Sequence, residues 1–121
     1  MAVRTDPKYG FQYGWVAGDD DWGDPMNKNL ELMMLLMNPS VLSDQVTTPP
    51  GTPAIGDIYI PAVGATGAWT GHAGKFAVWW QTPAQSSPAW LIIVPKAGLV
   101  AWIQSGTPRL IAYNGTAWVN V

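Results

Sequence analysis

The chain has 121 residues, 12% of them charged and 48% hydrophobic, with a net charge of −2. It has no cysteine, which excludes disulfides, thiolate metal sites and cysteine nucleophiles, and its six basic residues, Arg4, Lys8, Lys28, Lys75, Lys96 and Arg109, are too scattered to form the basic face a nucleic-acid partner requires. One domain is the default for this length, and a charged fraction about half the usual value points to apolar surface that other chains would cover.

Taken in chain order, Met1 to Tyr9 lacks the apolar segment of a signal peptide. Residues 1–23 are rich in Gly, Asp and aromatics (Tyr9, Phe11, Tyr13, Trp15, Trp22) and predict an extended arm or irregular loops. Such an arm either docks on a neighbouring subunit or folds back over its own core, since termini are ordered only when tied down. Asp24-Pro25 predicts a helix start, with Asp24 as the cap and Pro25 at the first helical position. The helix runs over about 25–37 and stops at Asn38-Pro39. Met26, Leu30, Met33 and Met37 form a seam at steps of four, three and four, in fewer heptads than a coiled coil needs. Leu32, Met34, Leu35 and Leu36 make its second half apolar nearly all round. Two roles fit: the helix plugs the end of its own sheet, or it clusters with copies of itself on a symmetry axis. Its longest apolar run, Leu32 to Met37, is far short of the roughly 20 residues that cross a bilayer, so no membrane insertion is expected.

Ser40 to Gly56 reads as a linker. Its prolines, Pro49, Pro50 and Pro53, predict a semi-rigid neck over 47–56. Strands are then predicted at Asp57–Ile60, Lys75–Gln81, Trp90–Val94, Leu99–Gln104, Arg109–Tyr113 and Thr116–Val121. Asn114-Gly115 is a hairpin signal between the last two. The expected fold is mainly β, a small antiparallel β-sandwich or barrel preceded by an arm and one short α-helix. Residues 1–46 form the arm and anchoring helix, 47–56 the neck, and 57–121 a Trp-rich β domain.

The catalytic inventory is thin. His72 is the one histidine and stands without a recognisable nucleophile or second partner; Thr70 is a poor candidate. Asp19, Asp20, Asp21 and Asp24 do not follow a calcium-loop spacing and read as a solvated turn before a helix. Gly64, Gly67, Gly71 and Gly74 lack the context of a phosphate cradle. Asp57 is the one acid of the β region, where a glycosidase would need two. No enzyme activity, metal or cofactor is therefore expected. Eight tryptophans remain, flat apolar rings that suit both interfaces and sugars. In a strand, Trp79 and Trp80 point to opposite faces.

Several stretches in order resemble a phage-associated domain family. They are Gly14-Trp15-Val16-Ala17-Gly18-Asp19-Asp20-Asp21-Trp22-Gly23-Asp24, Met26-Asn27-Lys28-Asn29-Leu30, Gly56-Asp57-Ile58-Tyr59-Ile60, Thr66 to Lys75, and Tyr113-Asn114-Gly115-Thr116-Ala117-Trp118. That family occurs in tail-fibre, spike and related virion proteins of phages and gene transfer agents of alphaproteobacteria. The resemblance implies a virion part, assembled in the host cytoplasm among other virion proteins, and supplies no catalytic residues. The function expected is a short tail fibre or spike subunit attaching to the host surface, its polysaccharide included. The alternative is a head decoration or baseplate piece without receptor contact. A homo-oligomer is expected, a trimer first, anchored through Met26, Leu30, Met33 and Met37. Trp69, His72, Trp79 and Trp80 are the candidate ligand contacts.

Overall fold

A computed structural model describes residues 3–121. The chain divides into two units, Met1–Asn38 and Pro39–Val121, each with its own architecture.

In the first unit, β1 (Arg4–Thr5) and β2 (Gln12–Tyr13) pair as a short antiparallel hairpin where an extended arm or irregular loops were expected. Asp6 holds its turn: the carboxylate accepts the amides of Lys8 and Tyr9 at 3.1 and 2.9 Å. The helix α1 spans Gly23–Met37. It begins two residues before the predicted start, and Asp24 does not cap it: Trp22 occupies the cap position, with no side-chain cap bond. The first intrahelical bond is Met26 N–H to Trp22 O, at 2.9 Å, so Pro25 lies in the first turn, where its missing N–H costs nothing. Buried Asn29 ties helix to hairpin. Its side-chain amide donates to Gln12 O at 2.6 Å and its carbonyl accepts Gln12 N–H at 2.9 Å.

The second unit is mainly β, as predicted. One sheet orders β3 (Ser40–Val41), β7 (Val100–Ile103), β8 (Arg109–Tyr113) and β9 (Trp118–Asn120). The other orders β4 (Ile58–Tyr59), β5 (Phe76–Trp80) and β6 (Ala89–Ile93). The pairings within these sheets are antiparallel except β3 with β7, which is parallel. The sheets run into one another between β3 and β4, where Leu42 N–H donates to Ile58 O at 2.8 Å and Ile60 N–H to Ser43 O at 3.1 Å. The result is one curled surface, in the order β9-β8-β7-β3-β4-β5-β6. Its interior collects Val41, Ile58, Phe76, Val78, Ile93, Ala101, Ile103 and Ile111, all buried.

Residues 40–47 are therefore part of the β unit and not a linker. Val41 is fully buried, and Val46 O and Thr47 O accept the amides of Ala62 and Thr66. The division falls before Pro39, which differs from the expected boundary at 46 and the neck over 47–56. The prolines begin only at Pro49, so residues 40–47 keep their N–H donors and can enter the sheet, as the Leu42 N–H does.

Asn114-Gly115 does turn the chain between β8 and β9, but not as a two-residue primed turn. Type I′ needs positive φ at both central residues and type II′ at the first, whereas among the described residues no non-glycine residue has one and Gly115 sits at +105°. Instead Asn114 Oδ1 accepts Thr116 N–H, Ala117 N–H and the Thr116 hydroxyl at 2.9–3.0 Å. One ion pair, Arg109 Nη2 to Asp44 Oδ2 at 2.6 Å, fastens the segment after β3 to β8.

Candidate functional site

Cross-strand partners share a face, so the register sorts the side chains of β4-β5-β6. Tyr59 pairs with Ala77, Ala77 with Ile92, and Trp79 with Trp90, which puts these five on the outer face. Ile58, Val78 and Leu91 lie on the core face, and alternation adds Phe76 and Trp80 there. Trp79 and Trp80 thus take opposite faces, as expected.

The connection between β4 and β5 returns over this outer face and delivers Trp69. Gly67 opens the short 3₁₀ turn Gly67–Trp69 at φ +61°, a conformation that favours glycine. The Thr70 hydroxyl donates to Gly67 O at 2.8 Å and closes the turn. Trp69 is 0% exposed. Its ring lies 5.4 Å from Tyr59 and 5.1 Å from Trp90, and Trp90 lies 5.1 Å from Trp79. The Trp90 contacts to Trp69 and Trp79 are edge-to-face, the favoured aromatic arrangement, so the indoles cover one another. Trp69 is therefore a core residue and offers no face to a ligand, a correction to its expected role as a contact. Among the described residues its Nε1 has no acceptor. Removing such a side chain would cost about 3–5 kcal/mol.

Burial of Tyr59, and next the charge of Asp57, push its phenol above its ordinary pKa of 10.0. Trp79 and Trp80 are half-buried. His72 is also half-buried, and its Nδ1 lies 3.4 Å from Lys75 Nζ, within hydrogen-bonding reach. Trp118 links the two sheets: its ring stacks on Phe76 at 5.5 Å and its Nε1 donates to Gly74 O at 2.8 Å.

A second surface escaped sequence reasoning. On β7, Ala101 and Ile103 are buried while Val100 and Trp102 are exposed. Val100 pairs with Ala112 and Ala112 with Val119, while Trp102 pairs with Leu110. Val100, Trp102, Leu110, Ala112 and Val119 thus form one outward apolar face, with Trp102 44% exposed. Val-Ala-Trp-Ile is apolar at both parities, so the sequence does not say which side faces solvent.

The proposed anchor seam is mostly open. Leu30, Met33 and Met37 are exposed, Met37 at 74%, while Met26 is half-buried. Asp19, Asp20 and Asp21 line an open hollow of about 210 Å³ with Val3 and Trp15. Among the described residues no three acids or histidines gather as a metal site. Asp19 is instead used locally, its carboxylate accepting Val16 N–H at 2.9 Å.

What this geometry supplies is apolar and aromatic contact surface on a β scaffold. Residues 26–119, more than three quarters of the chain, match the family described as "Protein of unknown function (DUF2793)". The chain belongs to that family. The DUF2793 match takes in most of α1 and nearly all of the β unit, and leaves the β1-β2 hairpin and the Asp19–Asp21 turn outside. No curated protein matches the chain.

Proposed function

We propose that this DUF2793 chain is a non-catalytic structural subunit of a bacteriophage-type particle, a short tail fibre or spike that attaches to the host surface. The observation that carries this reading is the outward face of β7-β8-β9, where Val100, Trp102, Leu110 and Val119 stand exposed together. A contiguous apolar face is a mark of chain-to-chain contact. The open helix seam Leu30, Met33 and Met37 supports it in the same sense, as does the ordered set of segments resembling virion proteins. In this reading the chain acts as a closed homo-oligomer, the trimer being the expected one, set among other virion proteins. Half-buried His72, Trp79 and Trp80 are its candidates for glycan contact.

The test is incorporation. Tagged protein, produced in a host releasing particles, is expected to sediment with them through a density gradient, and Trp102→Gln to leave it behind in the soluble fraction. Particles that exclude the wild-type chain would overturn the proposal.

One observation favours the alternative, a head decoration or baseplate piece without receptor contact. Trp69, Trp79 and Trp90 pack edge against face, spending on each other the ring surfaces that sugar stacking would use. A glycan array separates the two: selective binding supports the fibre, and incorporation without any glycan binding supports the decoration.

A further inference from the structure

The strand β6 is an edge, hydrogen-bonded to β5 alone. Alternate residues of a strand direct their N–H and C=O groups to opposite sides. Trp79 N–H donates to Asp57 O at 2.9 Å and Trp79 O accepts Gly56 N–H at 2.8 Å, so Trp79, and Ala77 with it, bonds toward β4. Phe76, Val78 and Trp80 then bond toward β6, and their partners Ile93, Leu91 and Ala89 bond back. This leaves Trp90 and Ile92 with both backbone groups turned outward. Among the described residues, neither has a further backbone hydrogen-bond partner.

Open edges are normally protected by charge, proline or a bulge. Here no charged residue occurs between Lys75 and Lys96, and Ala89–Ile93 is apolar throughout. The prolines sit outside the strand, at Pro88 and Pro95, where they bound the stretch able to donate and allow little slippage of register.

We propose that β6 is a strand-addition site occupied by β6 of a second copy, antiparallel across a two-fold axis through Leu91. The argument is self-complementarity. The open groups belong to two residues placed symmetrically about Leu91, so Trp90 would meet the partner's Ile92 and Ile92 the partner's Trp90. Each such pair exchanges two hydrogen bonds, and every outward group of both residues is satisfied at once. No charge on the strand opposes its own image. On the outer face Trp90 and Ile92 carry the aromatic cover across the joint, and on the core face Leu91 meets its counterpart. A two-fold contact of this kind is isologous, the commonest form in soluble oligomers. Its extent sets its strength. Five residues of edge are a small part of the roughly 20–30 residues a side of a standard interface, so pairing depends on concentration. The proposal rests on backbone geometry and holds whether or not the chain serves in a particle.

Sedimentation of the full chain over a wide concentration range is expected to show a species of doubled mass, two copies or two closed oligomers joined through β6, that grows with concentration. Ile92→Pro removes an outward N–H that β5 does not use, at an edge-strand position where proline is tolerated, and is expected to abolish that species. Ile92→Lys is expected to abolish it too, by placing like charges across the axis. In the wild type, amide exchange at Trp90 and Ile92 is expected to slow as concentration rises, whereas the Leu91 amide, bonded to β5, stays slow throughout. A monomer at all concentrations, or an oligomer indifferent to both Ile92 variants, would overturn the proposal. So would an oligomer lost in Trp102→Gln with Trp90 and Ile92 amides still exchanging fast.

Discussion

Tyr59 is where the chemistry of a single residue becomes measurable. Its phenol sits in the aromatic layer with Trp69 and Trp90, and burial and Asp57 both disfavour the phenolate. The folded-state pKa therefore lies above that of the unfolded chain. Its stabilisation is complete below the unfolded value and is lost as pH rises through the folded one. Denaturation midpoints taken at increasing pH above about 10 should fall for the wild type. Tyr59→Phe should flatten that decline, and an unchanged alkaline slope in the variant would place the effect elsewhere. Residue identities of this kind were only partly legible. The eight tryptophans announced contact surface, yet Trp69, expected at a surface, is enclosed, and Trp102, not singled out, is exposed. The difference lies in the turn at Gly67, which carries Trp69 back over the sheet, and in a non-local pairing that fixes which side of β7 faces out.

At the scale of elements, the later strands were readable because Val, Ile, Trp and Tyr runs alternate with Gly and Pro breaks, and six of six predicted strands from residue 57 onward are present. The elements that went unread are two-residue strands. Arg4–Thr5, Gln12–Tyr13 and Ser40–Val41 are too short to show a period; the first two hold each other in a local hairpin, and Ser40–Val41 is held by β7, far along the chain. Asn29 adds to the hold on the hairpin. A polar residue in the middle of a helix looks like surface, but both ends of its amide are engaged by Gln12. Asn29→Ala would bury an unpaired Gln12 N–H and C=O and should destabilise the hairpin–helix unit by about 1–3 kcal/mol. Exchange of the Gln12 amide reports it directly and should become markedly faster. Asn29→Asp, which keeps the acceptor and loses the donor, should fall between the two.

For the whole molecule, the division before Pro39 makes a direct prediction. Pro39–Val121 contains both sheets and the buried set from Val41 to Ile111, the attributes of an independent folding unit. A fragment of residues 39–121 should unfold cooperatively with a β-type circular dichroism spectrum. It should also retain the β6-mediated pairing while losing any association that depends on the Met26, Leu30, Met33 and Met37 seam. Non-cooperative melting of the fragment would show that the first unit is required. The border lies before Pro39 and not at the prolines 49, 50 and 53, because the short apolar signal at Val41 and Leu42 gains its meaning only from the distant β7 and from β4 that it joins.

That border has a kinetic side. Ser40 and Val41 sit beside Trp102 and Ile103 in a parallel ladder, an alignment that joins positions roughly sixty residues apart. Closing so large a loop costs entropy before any ladder bond repays it. The hairpins β5-β6 and β7-β8 should accordingly form early and wait for one late, slow docking event, during which the uncharged edge of β6 is open to any neighbouring chain. Refolding yield should fall as protein concentration rises, and the chain's own synthesis rate would then set how often nascent copies meet half-finished.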